Sequence, residues 1–346
     1  MPAAELRAGW HEEKRLLLAN KRTLILALLL LVLGTPPPGG GQTISHEEVP
    51  RAEPTRDTYA QLPISEESRT TLREAVQSRD YARAEALLAG ELARQPGSQA
   101  LLTTAAAVFF LDGKYLNCAV TLKKAEVIAP LTSRDRFTLA LSYIILNHGD
   151  WARPELEKLA DADPHNPSYP YWLGRIDYDA MQYKAAKAHL QAALKLDPRF
   201  MKAYDNLGLT FEALGQYDDA IRVYQQAILM NRSAPAPSPW PPLNLGTLLV
   251  KLGNLNDAEV YLGESLKYAP RFSRAHYQMG VLQEKQKQDD AALLELAEAA
   301  RDDPTYPEPH YLLARIYARN GQKARAEAEQ QAFAKLKQES PQGRPP

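Results

Sequence analysis

The chain has 346 residues, 45% hydrophobic and 24% charged, and its 41 lysines and arginines against 42 acidic residues leave a net charge of -1. That balance gives no electrostatic footprint for nucleic acid or an acidic substrate. A single cysteine, Cys118, excludes an intrachain disulfide and any cysteine cluster for zinc or haem.

Residues 1–41 form a separate piece. The stretch 23–34 is uninterruptedly apolar or small, preceded by Lys14, Arg15, Lys21 and Arg22 and followed by Pro36, Pro37, Pro38 and Gly39 to Gly41. A basic flank, a short apolar run and a helix-breaking exit describe a secretory signal, whereas a spanning helix wants roughly 20 apolar residues. A cleaved signal and a retained single-pass anchor both stay open, with a cytoplasmic chain as the third choice. Val32 and Gly34 are the small residues available before a cut, and there is no Ala-x-Ala. A bacterial lipoprotein anchor is excluded, because it needs a cysteine just after the apolar run. In either exported case the basic flank stays in the cytoplasm and the remainder becomes periplasmic or otherwise extracytoplasmic. Residues 42–64, with Pro50, Pro54 and Pro63, read as a polar linker.

Beyond the linker, prolines recur every 34 residues, at Pro96, Pro130, Pro164 and Pro198 and again at Pro270 and Pro304. Such a period marks a stacked-repeat protein. The 72 residues between Pro198 and Pro270 are two periods plus four, so the register absorbs one insertion. Eight units start at Ser65, Gln99, Ser133, Pro167, Met201, Pro239, Ser273 and Pro307. Each divides into two helices. In unit four, Tyr183, Ala186, Leu190, Ala193 and Leu194 recur at helical spacing opposite Lys184, Lys187 and Gln191. Asp163-Pro164, Asp197-Pro198 and Asp303-Pro304 predict helix ends, since proline disfavours helix at the preceding residue. Position 8 of the units is Ala or Gly (Ala106, Ala140, Gly174, Gly208, Gly246, Gly280, Ala314), and position 20 is Ala except for Cys118. These small residues let the helices of a unit approach. Larger ones at position 24 (Leu88, Leu122, Leu156, Leu190, Tyr224, Leu262, Leu296) are expected to fill the gap between units. Gly113, Gly215, Gly253 and Gly321, at position 15, predict a left-handed turn. Cys118, standing where other units carry alanine, reads as a small buried side chain.

The pattern resembles the tetratricopeptide repeat. Leu173-Gly174, Leu207-Gly208 and Leu245-Gly246 stand for its Leu-Gly pair, and Tyr81, Tyr115, Tyr183 and Tyr217 for the tyrosine opening its second helix. The resemblance covers about 65–340 and is sharpest over 167–272. Unit one departs with Thr71-Leu72 and unit eight with Gln330, as degenerate end caps would. It implies an all-α, right-handed superhelical solenoid of antiparallel helix pairs whose first helices line a concave groove for peptides or proteins. Groove positions of the family select Arg134, Phe137, Tyr171, Arg175, Tyr178, Lys202, Asn206, Trp240, Asn244, Arg274, Tyr277, Gln278, Tyr311 and Arg315. Arginine, tyrosine and tryptophan suit binding surfaces. Asn206 and Asn244 resemble two rungs of the asparagine ladder that holds extended backbone in some members. The carboxylate clamp of chaperone-binding members agrees at only two of five positions, so an acidic chaperone tail is not the expected ligand.

Residues 231–242, with five prolines and Trp240, predict an extended loop between units five and six. Trp240 is either a partner anchor or a ring packed on the next helix. The histidines are scattered, and His276 and His310, both at position 4, are expected to pack as rings. The carboxylates sit mainly in turns and on solvated faces, and Gly39 to Gly41 fit no phosphate loop. No catalytic constellation, metal site or cofactor motif is present in the sequence, and residues 341–346 read as a disordered tail. The expected function is a non-catalytic protein-interaction scaffold outside the cytoplasm, its partner a protein or extended peptide. An envelope assembly factor acting as a holding chaperone, or the recognition subunit of a glycosyltransferase or protease, are the alternatives.

Overall fold

The computed structural model describes residues 59–339; the apolar run at 23–34, the linker up to residue 58 and the tail at 341–346 lie outside it. Sixteen α-helices and no strand occur among the described residues. They pair off in chain order. Repeat one is α1 (Glu66–Gln77) with α2 (Tyr81–Arg94), repeat two α3 (Gln99–Leu111) with α4 (Tyr115–Ile128), and repeat three α5 (Ser133–Ile145) with α6 (Gly149–Ala162). Repeat four is α7 (Ser168–Asp179) with α8 (Tyr183–Leu196), repeat five α9 (Met201–Ala213) with α10 (Tyr217–Arg232), and repeat six α11 (Trp240–Leu252) with α12 (Leu255–Tyr268). Repeat seven is α13 (Ser273–Lys285) with α14 (Asp289–Asp302), and repeat eight α15 (Pro307–Arg319) with α16 (Lys323–Glu339). Each helix packs on the next one along the chain, and the odd-numbered helices from α3 to α15 also touch one another, forming the inner layer of the solenoid.

The expected helix ends are present. α6, α8 and α14 stop before Asp163, Asp197 and Asp303. Each of these aspartates then accepts the backbone N–H two residues on, at 3.3, 2.9 and 3.0 Å, so side chain and following proline turn the chain together. The turn inside each repeat is more uniform than the glycines suggest. Position 15 is left-handed in all eight repeats: at Gly113, Gly215, Gly253 and Gly321, and also at Arg79, Asn147, Met181 and Lys287, whose φ lies between 56° and 62°. The N–H of the following residue bonds back five residues in every case, from Asp80 to Ala75 and from Gln216 to Phe211 for example, which closes a Schellman turn.

Position 24 packs differently from the expectation. A Cβ built on Gly174, Gly246 or Gly280 would lie 2.7 to 2.8 Å from Leu190, Leu262 or Leu296 of the same repeat, and one on Gly208 would lie 2.3 Å from the Tyr224 ring. The large residue therefore fills the seam within its own repeat, over the glycine sixteen positions earlier. Alanine at position 20, buried in every repeat that carries it, lets the backbones close to that distance. Cys118 occupies this place fully buried, and desolvation pushes its thiol up to about 12.

Two boundaries move. Residues 59–64, placed in the linker by their sequence, belong to the folded body: Tyr59, Leu62 and Ile64 are buried against Leu72, Ala75 and Leu88. The Arg69 guanidinium donates to the Leu62 carbonyl at 2.9 and 3.2 Å, and Gln95 donates to the Pro63 carbonyl. This segment covers the open end of repeat one. The predicted 231–242 loop shrinks to 233–239, because Asn231 and Arg232 end α10 while Trp240, Pro241 and Pro242 form the first turn of α11. Proline is tolerated there since first-turn N–H groups have no helical acceptor. Asn231 is wholly buried and clips the loop shut. Its Nδ2 donates to the Ser238 carbonyl and its Oδ1 accepts the Ser238 N–H, both at 2.7 Å.

Candidate functional site

The four-residue insertion sets the register of α11, and with it the position of Trp240 at the first turn of that helix. The indole meets Phe272 edge-on at 5.0 Å. The Arg274 guanidinium, from the first turn of α13, lies over the indole at 5.6 Å and over the Tyr306 ring at 5.9 Å. Tyr306 in turn meets Tyr277 edge-on at 5.3 Å. Of these side chains Trp240, Arg274 and Tyr306 line a cleft of about 200 Å³ on the inner layer, between α9, α11 and α13.

Four residues selected from the sequence line this cleft: Trp240, Asn244, Arg274 and Gln278. They come from two successive first helices, α11 and α13, and are up to 38 residues apart in the chain. Leu209, Leu243, Glu212, Thr247 and Tyr306 complete the lining. Glu212 and Thr247 occupy groove positions 12 and 9 and were legible by position, though neither is aromatic or basic. Tyr306 lies in the turn before α15, which carries no groove position.

The floor at Asn244 and Glu212 is held by hydrogen bonds. Asn244 Nδ2 donates to Asp205 Oδ1 at 2.9 Å, and Asn206 Nδ2 donates to the Lys202 carbonyl at 2.8 Å and faces the Tyr171 hydroxyl at 3.4 Å. Both asparagines are buried and take part in holding α7, α9 and α11 together, so the two-rung ladder is tied into the scaffold. The Tyr224 hydroxyl, reaching through from the seam, donates to Glu212 Oε1 at 2.6 Å. Burial raises the Glu212 carboxyl above the ordinary glutamate value; the Tyr224 hydrogen bond and the Lys251 charge act the other way.

The remaining predicted residues are spread along the solenoid. Tyr171 and Arg175 are buried, Tyr171 between Trp172 and Phe200. Tyr178 is half-buried on Tyr183, and burial pushes its hydroxyl up to about 12. Lys202 and Arg134 are exposed, and Phe137 meets Tyr169 edge-on. In repeat eight Tyr311 is exposed, with the Arg315 guanidinium 5.9 Å from its ring and ion-paired to Glu284. These ends of the inner layer are not part of the cleft.

His276 and His310 are pinned to carboxylates. His276 Nδ1 lies 2.7 Å from Glu295 and His310 Nδ1 lies 2.6 Å from Glu329, each pair nineteen residues apart across its repeat. Arg136 and Glu155 make the same link in repeat three. These rings serve the scaffold as hydrogen-bonding partners as well as packing groups. Among the described residues no group of three or more His, Cys, Asp and Glu side chains could hold a metal ion.

The tetratricopeptide repeat family matches this sequence over residues 173–237 and 243–307. No curated protein sequence matches it. Among solved structures, it is similar to a tetratricopeptide repeat protein from Parabacteroides merdae at 16% identity and a TM-score of 0.59, covering 71% of this chain and 94% of the other. The Pseudomonas aeruginosa pilF structure is similar at 20% identity and a TM-score of 0.51, over 64% and 99% of the two chains. A chain of the APC/C Cut9-Hcn1 hetero-tetramer gives 18% identity and a TM-score of 0.57 over 71% of this chain, which spans about half (48%) of that protein's length. At these identities the likeness is one of fold, an all-α superhelical solenoid.

Proposed function

This chain carries tetratricopeptide repeats over residues 173–237 and 243–307, and we propose that it is a non-catalytic scaffold which binds a peptide or protein partner in the inner cleft of repeats five to seven. One observation carries the reading: two successive first helices bring Trp240, Asn244, Arg274 and Gln278 to one concavity, which a third lines with Leu209 and Glu212. Concave sites with an aromatic wall and a few converging polar groups are where ligands bind, and Trp and Arg are the side chains that most often dominate interface energetics. A held floor lowers the ordering cost of binding.

The partner is met outside the cytoplasm in this proposal. Support for that comes from the basic flank and apolar run at 23–34. No helix among the described residues is long and apolar enough to cross a membrane, so tethering would fall to that N-terminal run.

The test is a display of random peptides to the full chain, followed by backbone hydrogen exchange with the selected peptide bound. Slower exchange concentrated in α9, α11 and α13 is the expected result. Protection confined to other repeats, or no peptide retained at all, would overturn the assignment.

A further inference from the structure

Resting on the groove reading above, we propose that the cleft of repeats five to seven selects an extended peptide segment carrying an acidic residue next to a large apolar one. Arg274 is the cationic residue of the cleft lining. Its guanidinium is placed against the Trp240 and Tyr306 rings at 5.6 and 5.9 Å, and it is exposed. These ring contacts leave its N–H fork without a carboxylate partner, and a carboxylate is the acceptor whose two oxygens match that fork.

Neighbouring arginines differ in this respect. Arg232 holds Glu264, Arg271 holds Asp302, and Arg315 and Arg319 both hold Glu284. Among the described residues Arg274 makes ring contacts and no ion pair. It is thus the cleft cation whose charge remains for an incoming group. The other lining residues state what accompanies that charge. Leu209, Leu243 and the Trp240 indole offer an apolar wall, while Thr247 and Gln278 supply groups that pair with extended backbone. Glu212 on the same cleft would repel a second acid placed near it, so the acidic side chain is directed to Arg274 and the neighbouring residue to the apolar wall. A basic segment would put its cation against Arg274 and gain nothing there.

The experiment uses the full chain and fluorescein-labelled decapeptides of Gly and Ser that carry a central Asp-Leu or Asp-Phe, with Lys-Leu and Asn-Leu versions as controls. Anisotropy should show the acidic peptides binding about tenfold or more tightly than the lysine control, with the preference weakening as salt rises. Arg274→Gln should abolish the preference with an unchanged circular dichroism melt, and Arg274→Glu should invert it. Equal binding of acidic and control peptides, or a preference that survives Arg274→Gln, overturns this inference and leaves the groove reading intact. Selection from a random library of peptides without an acidic residue does the same. Retention of no peptide of any sequence overturns both.

Discussion

The Tyr224 hydroxyl donates to Glu212 Oε1 at 2.6 Å while its ring lies on Gly208, so one side chain joins the seam of repeat five to the cleft. The other full repeats with glycine at position 8 carry leucine at position 24. Tyrosine is larger and brings a polar tip, which is satisfied only because Glu212 stands one turn beyond the glycine.

Replacing Gly208 by alanine should therefore destabilise the protein by about 1–3 kcal/mol, the range for overpacking a filled core. Tyr224→Leu in the same chain should restore most of it, since Ala106 with Leu122 and Ala140 with Leu156 are accommodated elsewhere. Urea unfolding of the two single variants and the double variant measures the coupling. Additive losses would contradict the seam as described.

The Glu212 carboxyl, raised by burial, gives a pH prediction. A carboxyl whose folded pKa lies above its unfolded value favours the folded state while protonated, so stability falls as pH rises from the ordinary glutamate value through the raised one. Glu212→Gln should remove that fall and melt higher than the parent near neutral pH. Thermal melts across the acid range compare the two slopes.

His276 works in the opposite sense to a depressed acid. Its pKa is raised, by the Glu295 hydrogen bond first and also by the Pro270 carbonyl and the Asp302 charge, against desolvation. Arg271 and Arg301 also face Asp302. The stability it contributes is full below the unfolded histidine value and is lost as pH rises through the raised one. His276→Gln should flatten this loss. NMR titration of the ring, with an unshifted value as the contrary outcome, checks the cause directly.

The left-handed turns supply a comparison within one chain. Met181 and Lys287 hold φ of 56° and 62° where four repeats have glycine. Met181→Gly or Lys287→Gly should stabilise by up to about 1 kcal/mol, the left-handed penalty less the extra freedom glycine gains in the unfolded chain. Gly253→Ala should destabilise by a similar amount. Denaturant midpoints would reveal a failure of that sign reversal.

The repeat array is legible because its signals are local: proline every 34 residues, aspartate before proline, and small residues at two fixed positions. What escaped is set by contacts across the chain. Nothing in the residue types of Arg79, Met181 or Lys287 announces a left-handed turn, whereas Asn147 is of a type that enters one readily; at the other three, packing of the following helix imposes it. Tyr59, Leu62 and Ile64 sit among prolines and charges, and only their burial on repeat one assigns them to the fold. Asn231 looks like a loop residue until its two hydrogen bonds to Ser238 are seen. In the cleft, position and residue type together found Trp240, Asn244, Arg274 and Gln278; position alone reaches Glu212 and Thr247, and Tyr306, which arrives from a turn, needed geometry.

Trp240→Ala shows whether a partner binds in the cleft of repeats five to seven. With the peptide selected by the full chain, this substitution should cost at least about tenfold in affinity by anisotropy, as for a central aromatic anchor, with the thermal melt close to that of the parent. An affinity unchanged by Trp240→Ala would contradict binding in this cleft.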